Sequence, residues 1–169
     1  SYGGGGNSYY GGGDAFLSKF TSSGSLSWST YLGGFDNDKG KGVTTDGSGN
    51  VYVTGNAESS FPTTSGAYQT SGAAFLTKFT GSGNLSWSTY SSGGNGVTID
   101  GSGNVYVTGG AGSGFTTTSG AYQTSYGGNV DAFLSKFTSG GSLSYSTYLG
   151  GSNLERGNGV TTDGSGNVY

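Results

Sequence analysis

The sequence has no histidine, cysteine or methionine, and one proline in 169 residues. Without His and Cys there is no His-based catalytic triad, no thiol nucleophile and no His- or Cys-ligated metal site. The absence of Cys leaves the compartment open, because a well-cored β domain does not need disulfides. Charge is scarce: six Lys+Arg face nine Asp+Glu, a net charge of −3, and no basic run occurs. A nucleic-acid binder needs a cationic stripe to neutralise phosphates, so nucleic acid is excluded as a partner. No apolar stretch approaches the roughly 18 residues of a membrane span, which argues against membrane insertion.

What the chain has in quantity is glycine, 39 residues, and aromatic rings, with 13 Tyr, 9 Phe and 2 Trp. Glycine richness alone points to a disordered, low-complexity chain. Recurrence of the apolar positions overrules that reading. "DAFLSKFTSSGSLSWSTYLGG" at residues 14–34 returns as "AAFLTKFTGSGNLSWSTYSSG" at 73–93 and "DAFLSKFTSGGSLSYSTYLGG" at 131–151. Phe16, Phe75 and Phe133 are equivalent, so the period is 59 and then 58 residues. A second phrase, "GVTTDGSGNVYVTG" from Gly42, recurs from Gly96 and again, as "GVTTDGSGNVY", from Gly159.

Each phrase reads as two strands around a turn. β-Branched residues and Tyr flank Asp46-Gly47-Ser48-Gly49-Asn50, where Gly supplies positive φ and Asp and Asn bond the local backbone. Alternation puts Phe16 and Phe20 on one strand face and Ala15 and Leu17 on the other. Both faces are then partly apolar, as in a sheet packed between two neighbours. No segment keeps a helical period, so the expectation is an all-β chain of about twelve strands, four per unit. Four short strands per unit read as a β-propeller blade, whereas β-solenoid coils are usually shorter than this period. The connection "NAESSFPTTSGAYQTSG" and its counterpart from Gly110 share "TTSGAYQTS", which predicts an ordered segment anchored by Tyr68 and Tyr122. The expected organisation is a Gly/Tyr-rich segment at 1–13, then repeats at 14–72, 73–130 and 131–169. Within each blade the "GVTTD–NVYVTG" hairpin is expected to pair with the "AFLSKF–LSWSTYL" hairpin that follows it.

The ordered series "DAFLSKF…GSLSWSTYLGG…GNGVTTDGSGNVYVTG…FPTTSGAYQTS" resembles the bacterial and archaeal SBBP β-propeller repeat family over nearly the whole chain. The resemblance implies a secreted or cell-surface repeat protein and carries over no active site. The middle unit departs from the pattern, with "SSGGNG" in place of "LGGFDNDKGKG" and "LGGSNLERGNG".

Other chemistry is sparse. Asp14, Asp46, Asp100, Asp131 and Asp163 stand at repeated positions, which suits capping of turns and strand ends rather than a catalytic carboxylate pair. "DNDKGKG" opens like a calcium loop, but the acid needed eleven residues after Asp36 is Gly47, so a solvated loop is expected. "SYGGGGNSYYGGG" lacks the Lys-Ser/Thr ending of a phosphate loop. No enzyme activity, cofactor or metal is therefore expected.

The leading reading is a structural or adhesive protein that forms a homo-oligomer or polymer. The alternatives are a glycan-binding module, using exposed tyrosines such as Tyr10 and Tyr126, or a piece of a longer propeller. Under the expected blade pairing, residues 14–32 form the second half of a blade and 159–169 the first half of another. Head-to-tail pairing of these halves closes a ring or grows a filament. The candidate interface is Tyr2, Tyr9, Tyr10, Phe16 and Phe20 with Val160, Val168 and Tyr169.

Overall fold

A computed structural model describes residues 13–169, which form ten strands and no helix. The order is β1 (Ala15–Phe20), β2 (Leu26–Leu32), β3 (Lys39–Thr45), β4 (Val51–Asn56), β5 (Ala74–Phe79), β6 (Leu85–Ser91), β7 (Gly96–Ile99), β8 (Val105–Ala111), β9 (Asp131–Phe137) and β10 (Leu143–Leu149). They make three antiparallel sheets: β1-β2, then β3-β4-β5-β6, then β7-β8-β9-β10. The sheets do not close into a ring. The expected pairing of the two phrases is present, with Val53 opposite Thr77 in the second sheet and Val107 opposite Ser135 in the third.

The hairpin turns follow from their residues. In 80–84 the amide of Gly83 donates to the Thr80 carbonyl and the amide of Thr80 donates to the Asn84 carbonyl. Gly83 and its equivalents Gly24 and Gly141 take φ of 86°, 84° and 86°. That region disfavours any residue carrying a Cβ.

The second sheet is packed on both faces. On one, Phe75, Phe79, Val51 and Val53 join Leu32 and the half-buried Ala15, Leu17 and Trp28 of the first sheet. On the other, Tyr52, Leu76 and Trp87 join Val105, Val107, Phe133 and Phe137 of the third. Two apolar layers thus bond three stacked sheets, and most of the filling is aromatic. Buried rings remove roughly 150–250 Å² each from water, which compensates for the glycine-rich sheets.

Three expectations need correction. Ten strands form rather than twelve, because residues 159–169 keep only the isolated bridge Thr162↔Val168. That hairpin has no β5-like strand beside it, and an unsupported two-stranded ribbon is marginal. Tyr122 does not anchor the connection, since it is 82% exposed, whereas Tyr68 packs edge-on against Phe137 at 5.7 Å. The anchors are Phe61, stacked on Phe75 at 4.4 Å, and Phe115, 5.0 Å from both Phe133 and Tyr148. Last, the loop carrying Asp38 is not merely solvated. Asp38 is buried and accepts hydrogen bonds from the amides of Gly34 (2.7 Å) and Glu58 (3.0 Å), stapling the loop to the following connection.

Candidate functional site

A single contact scheme joins successive sheets, and it occurs twice. Trp28 Nε1 and Lys19 Nζ of the first sheet both donate to the carbonyl of Gly81, at 3.1 and 3.0 Å. Trp87 Nε1 and Lys78 Nζ of the second donate to the carbonyl of Ser139, at 3.0 and 3.5 Å. Each indole lies over the glycine of the turn it clasps. A Cβ on Gly83 would sit 2.8 Å from Trp28, and one on Gly141 would sit 2.9 Å from Trp87. Tyr68 adds the third element, packing forward onto Phe137.

The third sheet carries an equivalent set, with Tyr in place of Trp, and among the described residues no turn lies in front of it. Lys136 and Tyr145 are the equivalents of Lys78 and Trp87, and Tyr122 is the equivalent of Tyr68. Lys136 Nζ lies over the Tyr106 ring at 5.3 Å, as Lys78 lies over Tyr52 at 5.1 Å. At the other end of the stack, the first sheet presents the matching acceptor. No described residue lies within 4 Å of a Cβ built on Gly24, the counterpart of the two covered glycines. Phe16, Phe20 and Tyr31 stand exposed on the same hairpin.

The residues nominated from sequence fall into three groups. Phe16 and Phe20 lie on this open face. Val160, Val168 and Tyr169 lie in the last hairpin, where Thr161 and Tyr169 exchange backbone hydrogen bonds at 3.0 Å. That hairpin is tied to β7 by Thr162 Oγ1, which donates to the Ile99 carbonyl at 3.1 Å. Tyr2, Tyr9, Tyr10 and the Gly/Tyr-rich segment lie outside the described residues. Sequence reasoning missed Gly24, Lys136 and Tyr145, and gave Tyr122 the role of an anchor instead. The available signal was a Lys followed nine residues later by Trp or Tyr in all three units, at 19/28, 78/87 and 136/145.

The repeated carboxylates are structural. Asp46 Oδ1 accepts the amides of Ser48 and Asn50, and Oδ2 accepts Asn50 Nδ2 and the Tyr52 hydroxyl. Asp100 and Asp163 repeat the set. For Asp100 burial raises the pKa, but the hydrogen bonds from Asn104, Tyr106 and Ser102 outweigh it and hold the carboxyl below its ordinary value. Asp38 goes the other way: desolvation pushes its carboxyl up despite the Gly34 and Glu58 amides, with Asp14 and Asp36 adding repulsion. Among the described residues no three acidic side chains gather where a metal ion could be held.

Between the second and third sheets, where the long connections and the β6–β7 loop meet, lies a cleft of about 560 Å³. Its walls include Lys41, Asn56, Gln69, Ala73, Phe115 and Arg156. No carboxylate of the described residues lines it.

No curated protein matches the chain. A family does: residues 27–62, running from β2 through β3 and β4 into the connection anchored by Phe61, match the family model described as a beta-propeller repeat, and the chain carries an SBBP repeat there.

Proposed function

We propose that the four-stranded sheets are propeller blades and that the protein is a non-enzymatic, extracellular structural or adhesive module that associates head to tail. The observation that carries this reading is the twice-used clasp with an unfilled half at each end of the stack. Lys136, Tyr145 and Tyr122 of one molecule meet the turn at Ser22–Gly24 and Phe20 of the next. The internal sheets supply the register. Val51 faces Phe79 and Tyr52 faces Lys78 across β4 and β5. The same register sets Val168 opposite Phe20 and Tyr169 opposite Lys19 of the second molecule, completing a four-stranded sheet. That sheet then stacks on the open face of the third, as the second stacks on the first.

Exposed rings at both ends favour such a contact, because each buried large apolar side chain contributes about 1.5–3 kcal/mol. Head-to-tail contacts close a ring if the rotation allows and otherwise extend a filament. A two-molecule ring has six blades, within the roughly four to eight usual for propellers. Sedimentation across a concentration series tests the proposal. The expected result is a mass that rises with concentration and returns to the monomer value in Phe20→Ser and Lys136→Ser variants of unchanged far-UV spectrum. A monomer at every concentration overturns it.

A further inference from the structure

The cleft between the second and third sheets coincides with two shortened segments around the second sheet, the middle unit when each unit is taken as a sheet with the loop that follows it. The loop before β7, "SSGGNG", has six residues (91–96) where its counterparts have eleven (32–42 and 149–159). The connection into β5 is also short: Gly72 and Ala73 stand between Ser71 and Ala74, whereas Tyr126 to Asp131 stand between Ser125 and Ala132. Residues of both shortened segments line the cleft. In the third unit the extra residues fill the equivalent space, with Tyr126 packed 5.9 Å from Tyr148.

The chemistry of the lining changes with the deletions. In the third unit, buried Asp131 accepts Gln123 Nε2 at 3.2 Å and the Gly127 amide at 2.9 Å, while Gln123 Oε1 accepts the Gly150 amide at 3.0 Å. The middle unit has Ala73 in place of Asp131 and Ser92 in place of Gly150. Its Gln69 amide therefore has no carboxylate to hold and lines the cleft instead. Lys39 and Arg156 both correspond to Gly93, so the middle unit also removes a bulky cation from the floor.

Cations come in from the flanking units. Lys41 Nζ donates to Asn95 Oδ1 at 3.0 Å, and Asn95 Nδ2 donates to the Gly157 carbonyl at 3.0 Å. This amide bridge places Lys41 and the Arg156–Gly157 segment on either side of Asn95. The Arg156 side chain lies along Gly110, whose Cβ would be 3.3 Å from its Cγ. Lys keeps further N–H donors beyond the one used on Asn95, and Arg presents a planar fork suited to a carboxylate. Phe115 offers an aromatic surface in the same walls, alongside the amides of Asn56 and Gln69.

We propose that this cleft binds an acidic saccharide, a pyranose ring carrying a carboxylate, with Arg156 and Lys41 holding the carboxylate and Phe115, Gln69 and Asn56 meeting the ring and its hydroxyls. A neutral sugar lacks the group the two cations recognise, and a simple carboxylate lacks the ring. Isothermal titration of the whole chain with glucuronate, glucose and acetate tests the assignment. Glucuronate is expected to bind at least about tenfold more tightly than either control, the scale of one hydrogen bond to a charged group. Arg156→Gln and Lys41→Gln each lower that affinity by a similar factor. Ala73→Asp, which restores the carboxylate of the other units, abolishes it while leaving the melting transition in place. Glucuronate binding no tighter than glucose or acetate, or unaffected by the Arg156 and Lys41 variants, overturns the proposal.

Discussion

The β1–β2 and β5–β6 hairpins are nearly the same sequence in different surroundings. "AFLSKF" and "AFLTKF" pair with their second strands in the same register, down to the irregularity at the last step. Yet Phe75 is fully buried while Phe16 is 72% exposed. The hairpin itself specifies its pairing and its turn. Burial comes from the β4 strand beside it and the sheet in front of it. In a stacked-repeat molecule a residue's energetic role is thus set by its place in the stack, and variants at equivalent positions separate the two contributions.

The largest difference is expected at the equivalent phenylalanines. Phe75→Ala removes a ring stacked on Phe61 and costs about 3–5 kcal/mol, as is typical of a buried Phe. Phe16→Ala in dilute solution stays within about 0.5 kcal/mol, the range of ordinary surface changes. Urea denaturation of the two variants measures both. Equal costs would show that the first hairpin is covered in solution.

Next come the equivalent glycines Gly40, Gly94 and Gly157, each two residues before the repeated "GVT" phrase. A Cβ at Gly94 would lie 1.9 Å from Thr54 Oγ1, itself committed to the Phe75 carbonyl at 2.7 Å. A Cβ at Gly157 would lie 1.9 Å from Thr108 Oγ1, while the equivalent Gly40 has its nearest neighbour at 3.7 Å. Gly94→Ala should therefore destabilise by about 1–3 kcal/mol through overpacking, and Gly40→Ala by far less. Thermal melts of the pair would sharpen the contrast between a sheet whose predecessor carries a β4-type strand and one whose predecessor is only the two-stranded β1-β2 sheet.

How much of this was legible in sequence follows the same division. The period, the two hairpins per unit, their pairing and the two-faced apolar strands all came from which residues recur. They are properties of the unit. What escaped depended on neighbours. Tyr68 and Tyr122 have identical flanks, so sequence gives them one role, but only Tyr68 has a Phe137 in front of it. Phe61 and Phe115, the actual anchors, sit among changing residues ("SSFPT" and "SGFTT") that hid their equivalence. Asp38 belongs to a loop whose counterpart at 149–159 differs at most of its positions, with Glu155 in its place, so no repeated residue announced its burial. The clasp was written in the sequence as Lys and an aromatic nine residues apart, but its meaning required seeing the turn of the following sheet.

A smaller effect is expected at the Asp turns. Asp100→Ala deletes the acceptor for Ser102, Asn104 and Tyr106 and should cost about 1–2 kcal/mol at neutral pH, the scale of lost capping hydrogen bonds. Because the folded-state pKa lies below the unfolded value of about 3.9, the ionised carboxylate's contribution is full above that value. It is lost as pH falls through the depressed folded-state pKa. The gap between wild type and variant should accordingly narrow in acid, read from melting temperatures between pH 7 and pH 2. A gap that widened in acid would contradict the hydrogen-bonded turn.

The smallest change in stability should accompany a large change in behaviour. Tyr122 is exposed and makes none of the contact that Tyr68 makes, so Tyr122→Ser should alter the melting transition of the dilute protein by less than about 0.5 kcal/mol. Tyr68→Ser uncovers Phe137, loses an edge-on aromatic pair worth about 0.5–1.5 kcal/mol, and destabilises visibly. If Phe20 of a second molecule occupies the place in front of Tyr122 that Phe137 occupies in front of Tyr68, the order reverses at high concentration. Tyr122→Ser then weakens association, while the folded fraction of Tyr68→Ser associates normally. Light scattering on both variants separates the cases: a Tyr122→Ser protein that associates like the wild type would leave the open face without the role its repeat-mate suggests.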